Sequence, residues 1–511
     1  MLQHVQQFRR DVLAIDGRNQ MFMLVALALA GAIGLVSAAL LIQLEELAFL
    51  LFGAPVFALA VRYPRHAVYL FVAAFPLTIG LPRGFGGIPL LRLGEVLMVV
   101  VFAAVMINGL LNHPWKLRLG PLDLGMFAIV LTGSIIPTLV VEGRRLEVGA
   151  EGFNVLVGPI KYLLVYRMIR SVVQTREHVR TIIHCLLFAS TIVGLVGIGQ
   201  RQNILGIDDF VRTYYMDEGT RQWISRSWLN PEAFRITSLM SNWNVAGSYL
   251  SFSIIIAIYY AQTFTNGWRW MLWLGPVIAI NGLALILTGN TSSTLGLIGA
   301  IALGTLYLRR LPRGAVLLVI GAILSMIFFS NFVMLRLTEQ FGGNANTGVT
   351  GNSFFTRVSL WQTQFLPVLE GNYLLGIGPE LPDQIWWNTE ESQYLFLLYK
   401  GGIFYLIGYL AWVGLTLWMC KRAMDSSDEL ARMLGLAGAL VMVALLYMGI
   451  SNAYATYTPP MANVWILLAI VSAASTWATN ETNTTSGRTY AQPTLGPETH
   501  PDAARKQPVS L

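Results

Sequence analysis

Apolar positions along this chain come in long blocks separated by short polar connections, from about residue 20 to residue 477. A helix of roughly 20 apolar residues crosses a hydrocarbon layer about 30 Å thick. The blocks predict about 14 membrane spans, at 20–41, 47–61, 66–80, 95–111, 121–141, 152–169, 181–199, 236–260, 269–288, 291–308, 314–334, 393–419, 433–451 and 459–477. The second and third are short enough to be partly re-entrant. The predicted class is therefore an all-α polytopic membrane protein, with residues 1–477 forming one integral membrane domain. The Thr-, Asn-, Pro- and Gly-rich stretch 478–511 is expected to be a disordered tail.

The connections orient the spans. Arg9, Arg10 and Arg18 precede the first block, which puts the N-terminus in the cytoplasm. The even-numbered connections then face inward too. They carry Arg62 and Arg65; Lys116 and Arg118; Arg167, Arg170, Arg176 and Arg180; Arg269; Arg309, Arg310 and Arg313; and Lys421, Arg422 and Arg432. Each is basic, as cytoplasmic connections tend to be, so both termini are expected inside. The two longest connections, about 200–235 and 335–392, are expected outside, each long enough to fold over a cleft.

Composition agrees. The chain is 55% hydrophobic and 12% charged, and that charge fraction is about half of what a soluble domain carries. The net charge of +7 is accounted for by the inward connections and calls for no nucleic acid. Cys185 and Cys420 stand far apart, so no disulfide framework or metal cluster is visible. No cleavable leader is recognised before the first block. His4, His66, His113, His178, His184 and His500 all fall near or beyond the cytoplasmic side, which leaves carboxylates to serve as a base outside.

The outward loops hold the candidate chemistry. The first carries Arg201, Arg212, Arg221 and Arg226, and Arg235 stands at the mouth of the eighth span, followed by Asn242, Asn244 and Gly247. Arg235 either snorkels to headgroups or reaches an anionic substrate. In the second loop, FFTRVSLWQTQFLPVLEGNYLLGIGPE runs from Phe354 to Glu380. Ser353 or Thr356 is placed to cap a helix on which Arg357, Trp361 and Gln364 share a face. Leu360, Phe365, Leu366 and Leu369 form an apolar surface, and Pro367 bends or ends the helix. Such a segment is equally an interfacial helix. The turn GIGPE is able to offer backbone N–H groups to an anion. Glu370, Glu380, Asp383, Glu390 and Glu391 lie beside Trp386 and Trp387, a mixture that suits sugar recognition or a membrane-interface belt. Lys161, inside the sixth span, pairs with a ligand phosphate or snorkels.

Three stretches resemble the O-antigen ligase and O-antigen polymerase superfamily: FRITSLMSNWNVAGSYL, LILTGNTSSTLGLIGAIAL, and TRVSLWQTQFLPVLEGNYLLGIGPE with the following ESQYLFLLYKGGIFYLIGYL. They cover about residues 235–419. The resemblance implies a GT-C-type fold with two large periplasmic loops and metal-independent glycan transfer without a cofactor. It implies donor and acceptor oligosaccharides linked to undecaprenyl diphosphate, in the bacterial cytoplasmic membrane. Membrane lipids and a chain-length regulator protein are the other implied partners. By motif position Arg235 and Arg357 correspond to the arginines that hold the diphosphate.

Two departures matter. The family's central span often has an arginine after its threonine-serine turn, where this chain has Asn290 and Thr291. Arg226 or Lys161 is a possible substitute. Ligases carry a histidine and an asparagine where this chain has Glu391 and Ser392, which moves the resemblance toward polymerases and exopolysaccharide members. The expected catalytic residues are Arg357 and Arg235 at the diphosphate and Glu391 as base. Arg226, Asn244, Lys161, Trp361, Gln364, Glu380, Asp383 and Trp386 are expected to bind substrate. A ligase, a lipid-linked glycan transporter and a scaffold subunit are the competing readings.

Overall fold

A computed structural model describes residues 57–81, 92–112, 120–146, 148–216, 220–221, 234–264, 267–341, 353–380 and 391–488. Among these the regular structure is entirely helical. In hydrocarbon a helix satisfies its backbone hydrogen bonds within one segment, which is why apolar blocks of this length settle as helices. The main ones are α1 (Pro64–Thr78), α2 (Leu93–Asn112), α3 (Pro121–Arg144, with a π turn at Leu131–Ile135), α4 (Ala150–Val172) and α5 (Arg176–Arg201). A short α6 (Ile207–Tyr214) follows, then α7 (Trp243–Tyr260), α8 (Gly267–Thr288), α9 (Thr291–Leu308), α10 (Ala315–Phe328) and α11 (Ser330–Phe341). α12 (Ser353–Leu360) continues through a π turn at Trp361–Phe365 and a last turn at Leu366–Leu369. α13 (Gln393–Met424), α14 (Glu429–Met448) and α15 (Thr458–Arg488) complete the bundle.

Nine helices among the described residues are long and apolar enough to cross a membrane, or ten if the bent pair α10–α11 is one span. The protein is thus a multi-pass helical membrane protein. The first predicted span and most of the second lie outside the described residues, and every later one has a helix. Four differ in detail. The eighth begins at Trp243, because 234–242 enters as irregular backbone. The eleventh turns by 100° between Phe328 and Ser330, so α11 starts within the predicted span. The twelfth breaks at Gly401–Gly402. The last helix runs past 477 to Arg488.

α7 is the hub, with 94% of its apolar window buried. It packs against α5, α8, α9, α14 and α15. Burial on all sides requires its hydroxyls to find partners inside the protein. Ser248 donates to Asn244 O at 2.9 Å, Ser253 donates to Tyr249 O at 2.9 Å and Asn463 Nδ2 donates to Ser253 Oγ at 3.0 Å. α9 and α10 instead expose Ile298, Leu306, Val316, Ile323 and Phe328, an outward apolar face that suits lipid.

The bundle has two ends. One, called lower here, joins Arg65 to Gln174 at 3.0 Å and Arg176 to Asp428 at 2.5 Å. Three of the connections expected to face inward therefore meet at one end. At the other, upper end α7, α9, α13 and α15 begin and α3, α5 and α8 finish.

Candidate functional site

The upper end is organised by two asparagine caps. Asn242 Oδ1 accepts from Val245 N at 3.0 Å and starts α7. Asn290 Oδ1 accepts from Ser293 N at 3.2 Å and starts α9. The two helix starts approach closely because residue 247 is glycine: a Cβ there would sit 2.7 Å from Asn290 Cβ. Asn290 Nδ2 bridges to Asn244 O and to Tyr454 Oη, each at 3.2 Å. Ser292 Oγ lies 2.7 Å from Tyr454 Oη. Asn244, expected to bind substrate, thus meets Asn290 through its backbone. Tyr454 belongs to the turn that links α14 to α15, and burial pushes its phenol above the ordinary value, against the pull of Ser292, Asn290 and the Arg357 charge.

Arginines stand near the junction of α8 and α9. Residues 234–242 are threaded between helix ends, with Gln200 Oε1 accepting from Thr237 N at 3.0 Å and Ser238 N at 2.8 Å. Irregular backbone at such depth persists only where protein groups take up its N–H and C=O groups. Ile236 N donates to Leu287 O at 3.3 Å, which fixes Arg235 beside the end of α8, its guanidinium 5.1 Å from the Trp243 ring centre. Arg201 donates to Phe234 O at 2.6 Å and lies 5.2 Å from the Phe332 ring centre. The Phe332 ring abuts Gly289, as does Arg336 one helical turn later; Arg336 is only 6% exposed.

Neither Arg336 nor Tyr454 was marked by the sequence. Arg336 fell at the start of a long predicted loop, and nothing in a linear pattern shows that a bend of 100° brings it back onto Gly289. Tyr454 stands in a short connection, like many interfacial aromatics.

Arg357 and Glu391 meet in a direct ion pair. Glu391 has φ 49°, in the left-handed region, immediately before the start of α13. Gln393 anchors that start, donating its N–H to Gly449 O at 2.7 Å and accepting from Ala455 N at 2.7 Å. On the other side, Phe365 and Leu369 of the α12 segment pack with Leu395 and Tyr399 of α13. Tyr399 Oη closes the contact by donating to Phe365 O at 2.7 Å. Two expected catalytic residues are thus brought into contact, and Arg235 stands beside the end of α8 and Trp243.

The other expected residues are placed variously. Trp361 packs against the Phe365–Tyr399 cluster. The π turn at Trp361–Phe365 is wider than an α turn, which shifts Gln364 around the helix relative to Arg357 and Trp361. Its Oε1 is buried with no hydrogen-bond partner among the described residues. Glu380 Oε1 accepts from Gly149 N at 2.5 Å and so caps α4. Lys161 is buried and pairs with Glu95 and with Asn154 Oδ1 at 2.8 Å, so its partner is a carboxylate of the chain. Arg226, Asp383 and Trp386 lie outside the described residues.

The GIGPE turn does not present its N–H groups outward. Ile377 N and Gly378 N both donate to Tyr399 O, at 2.7 and 3.3 Å, and Gly376 N donates to Asn372 O at 2.8 Å. The turn plugs the break in α13, where Ile403 N donates to Tyr373 O at 2.8 Å. Arg144 clamps it from α3 through Gly376 O at 3.2 Å and Asn372 Oδ1 at 3.2 Å.

Chemically, the upper end offers guanidinium groups for an anion and one carboxylate able to accept a proton. Among the described residues, no three or more His, Cys, Asp or Glu side chains cluster as metal ligands. No protein-family model matches the chain, and no curated protein matches it significantly.

Proposed function

We propose that this protein is a membrane glycosyltransferase that polymerises oligosaccharide repeats carried on undecaprenyl diphosphate. In this reading it has a GT-C-type architecture of about 14 spans in the bacterial cytoplasmic membrane. The upper end then faces the periplasm and both termini the cytoplasm. The basic connections gathered at the lower end support that orientation.

The observation that carries the reading is the set of arginines near the junction of α8 and α9, with Glu391 on Arg357. Arg336 lies against Gly289, Arg235 beside Leu287, and the Arg357 charge reaches Tyr454, which is bonded to Asn290. A diphosphate leaving group needs its accumulating negative charge stabilised, and fixed guanidinium groups do this without reorganising. Arginine also matches phosphate oxygens two at a time. Arg336, arriving from α11, is suited to supply the guanidinium contact to phosphate that Asn290 and Thr291 lack.

The reaction follows from these roles. A hydroxyl oxygen of the acceptor sugar bonds to the anomeric carbon of the donor. Its proton passes to the Glu391 carboxylate. The bond from that carbon to the phosphate oxygen breaks, and its electron pair leaves with undecaprenyl diphosphate, held by Arg235, Arg336 and Arg357. Seating both lipid-linked sugars in one cleft supplies the orientation.

The test is a transfer assay in liposomes with an undecaprenyl-diphosphate-linked repeat as both donor and acceptor. A product ladder spaced by one repeat supports the polymerase. Transfer of one intact glycan to lipid A core or another acceptor, with no ladder, replaces it with a ligase. Movement of the lipid-linked glycan across the bilayer with no glycosidic bond made sinks the transferase reading.

A further inference from the structure

We propose that Glu391 is an internal stand-in for the ligand's phosphate. In the resting protein its carboxylate occupies the Arg357 guanidinium, and a diphosphate displaces it, so that seating the donor and freeing the base are one exchange. This rests on the reading above that the site takes a diphosphate-linked donor.

Three observations lead there. First, the pair is reachable: the Arg357 and Glu391 side chains are 24% and 20% exposed, unlike the Lys161–Glu95 pair at 7% and 4%. A buried pair of the second kind is closed to exchange, whereas a partly open one can trade a partner with solvent.

Second, both partners stand on fixed supports. Glu391 precedes the anchored residue Gln393, whose amide and side chain are tied to Gly449 and Ala455. Its φ of 49° is a conformation that residues with a Cβ seldom adopt. Such outliers concentrate where surrounding structure holds a residue to a task. Arg357 stands on a segment bonded to α13 through Tyr399 and Phe365. Breaking the ion pair therefore needs side-chain rotation only.

Third, the ion pair lies within electrostatic reach of the polar turn at Tyr454. The Arg357 charge acts on Tyr454, whose hydroxyl is 2.7 Å from Ser292 Oγ and 3.2 Å from Asn290 Nδ2. A diphosphate in that place competes directly with the carboxylate and brings more charge and more acceptor oxygens. While Arg357 holds the carboxylate, the guanidinium Nε donates to Oε2. Once displaced, that oxygen is free to take the proton of an acceptor hydroxyl, and it is freed only as the leaving group is seated.

Inorganic pyrophosphate is the probe. Its affinity for the full-length protein in nanodiscs is measured by calorimetry, with no glycan present. Removing the internal competitor with Glu391→Gln is expected to tighten pyrophosphate binding about tenfold. Glu391→Ala is expected to tighten it similarly, which covers the case of one variant failing to fold. In an Arg357→Ala background neither change is expected to alter affinity. Unchanged or weaker binding in both Glu391 variants overturns the exchange, as does a gain that persists without Arg357, or absence of binding in wild type and variants alike. A gain in affinity with no glycan transfer from any donor keeps the exchange and removes the transferase reading. A product ladder without the gain does the reverse.

Discussion

The Arg336 side chain lies across Gly289, with Nε 3.1 Å from where a Cβ of residue 289 would be. Gly289 also has φ +60°, so alanine there meets backbone strain as well as the guanidinium and the Phe332 ring. Gly289→Ala is expected to displace Arg336 and to lower transfer by about tenfold or more, with a stability cost of roughly 1–2 kcal/mol. Arg336→Lys, which keeps the charge but not the planar fork, is expected to lower transfer with little change in unfolding temperature. Full transfer by Arg336→Lys and Gly289→Ala alike would remove Arg336 from the site.

Arg357→Ala and Arg235→Ala are expected to reduce transfer by about 10²–10³-fold each, the size seen when one group stabilising a developing charge is removed. Both side chains lie at the bundle's end, and Arg235 meets α7 at its first residue, Trp243. The variants are therefore expected to elute as the wild type does in size-exclusion chromatography. Normal transfer by both ends the assignment of the arginines.

Glu391 and Glu380 separate a reacting carboxylate from a capping one. Glu380 accepts the Gly149 N–H at the start of α4, and glutamine there keeps an acceptor oxygen. Glu380→Gln is expected to leave transfer within a few-fold of wild type. Glu391→Gln cannot accept a proton and is expected to lower turnover by about 10²-fold or more. Unimpaired turnover in Glu391→Gln means that the base lies elsewhere.

Much of the bundle was legible because lipid imposes a simple rule: each long apolar block becomes a helix. The pairing of Arg357 with Glu391 was partly legible, since both were singled out within the second outward loop as catalytic residues. What remained hidden depends on bends and breaks. Residues 236–242 read as helix because Ile236, Leu239 and Met240 are apolar, yet Gln200 and Leu287 hold their backbone extended or turned. Lys161 read as a phosphate ligand or a snorkelling lysine because Glu95 is far away in sequence and no linear pattern pairs them. Gln364 looked aligned with Arg357 because a π turn leaves no mark in helical spacing.

Lys161 and Glu95 are nearly fully buried, with side-chain exposures of 7% and 4%. Removing one partner of such a pair strands the other charge, at a cost of about 3–5 kcal/mol. Lys161→Met is expected to lower the unfolding temperature in detergent sharply. Lys161→Met with Glu95→Leu is expected to recover most of the loss, because two apolar groups suit the same space. The double variant is also expected to retain transfer. If it is stable and inactive, Lys161 touches the substrate after all.

The break in α13 supplies the most severe test of the architecture. Gly402 has φ +64°, and a Cβ there would lie 2.2 Å from Leu374 O. That contact is with backbone, so no side-chain rotation relieves it. Gly402→Ala is expected to expel the 372–378 turn from the break and to release Arg144 from Gly376 O and Asn372. The amides of Ile377 and Ile403, bonded to Tyr399 O and Tyr373 O, should then exchange with deuterium faster. Gly299, within α9, is the matched control, since a Cβ there has nothing within 4 Å. Alanine at 299 is expected to be neutral or to stabilise by up to about 1 kcal/mol. Because α13 begins at the Glu391 anchor, disorder of its break is also expected to loosen the Arg357–Glu391 contact and to lower transfer. Wild-type protection of Ile377 and Ile403 in Gly402→Ala would show that the turn does not depend on the break.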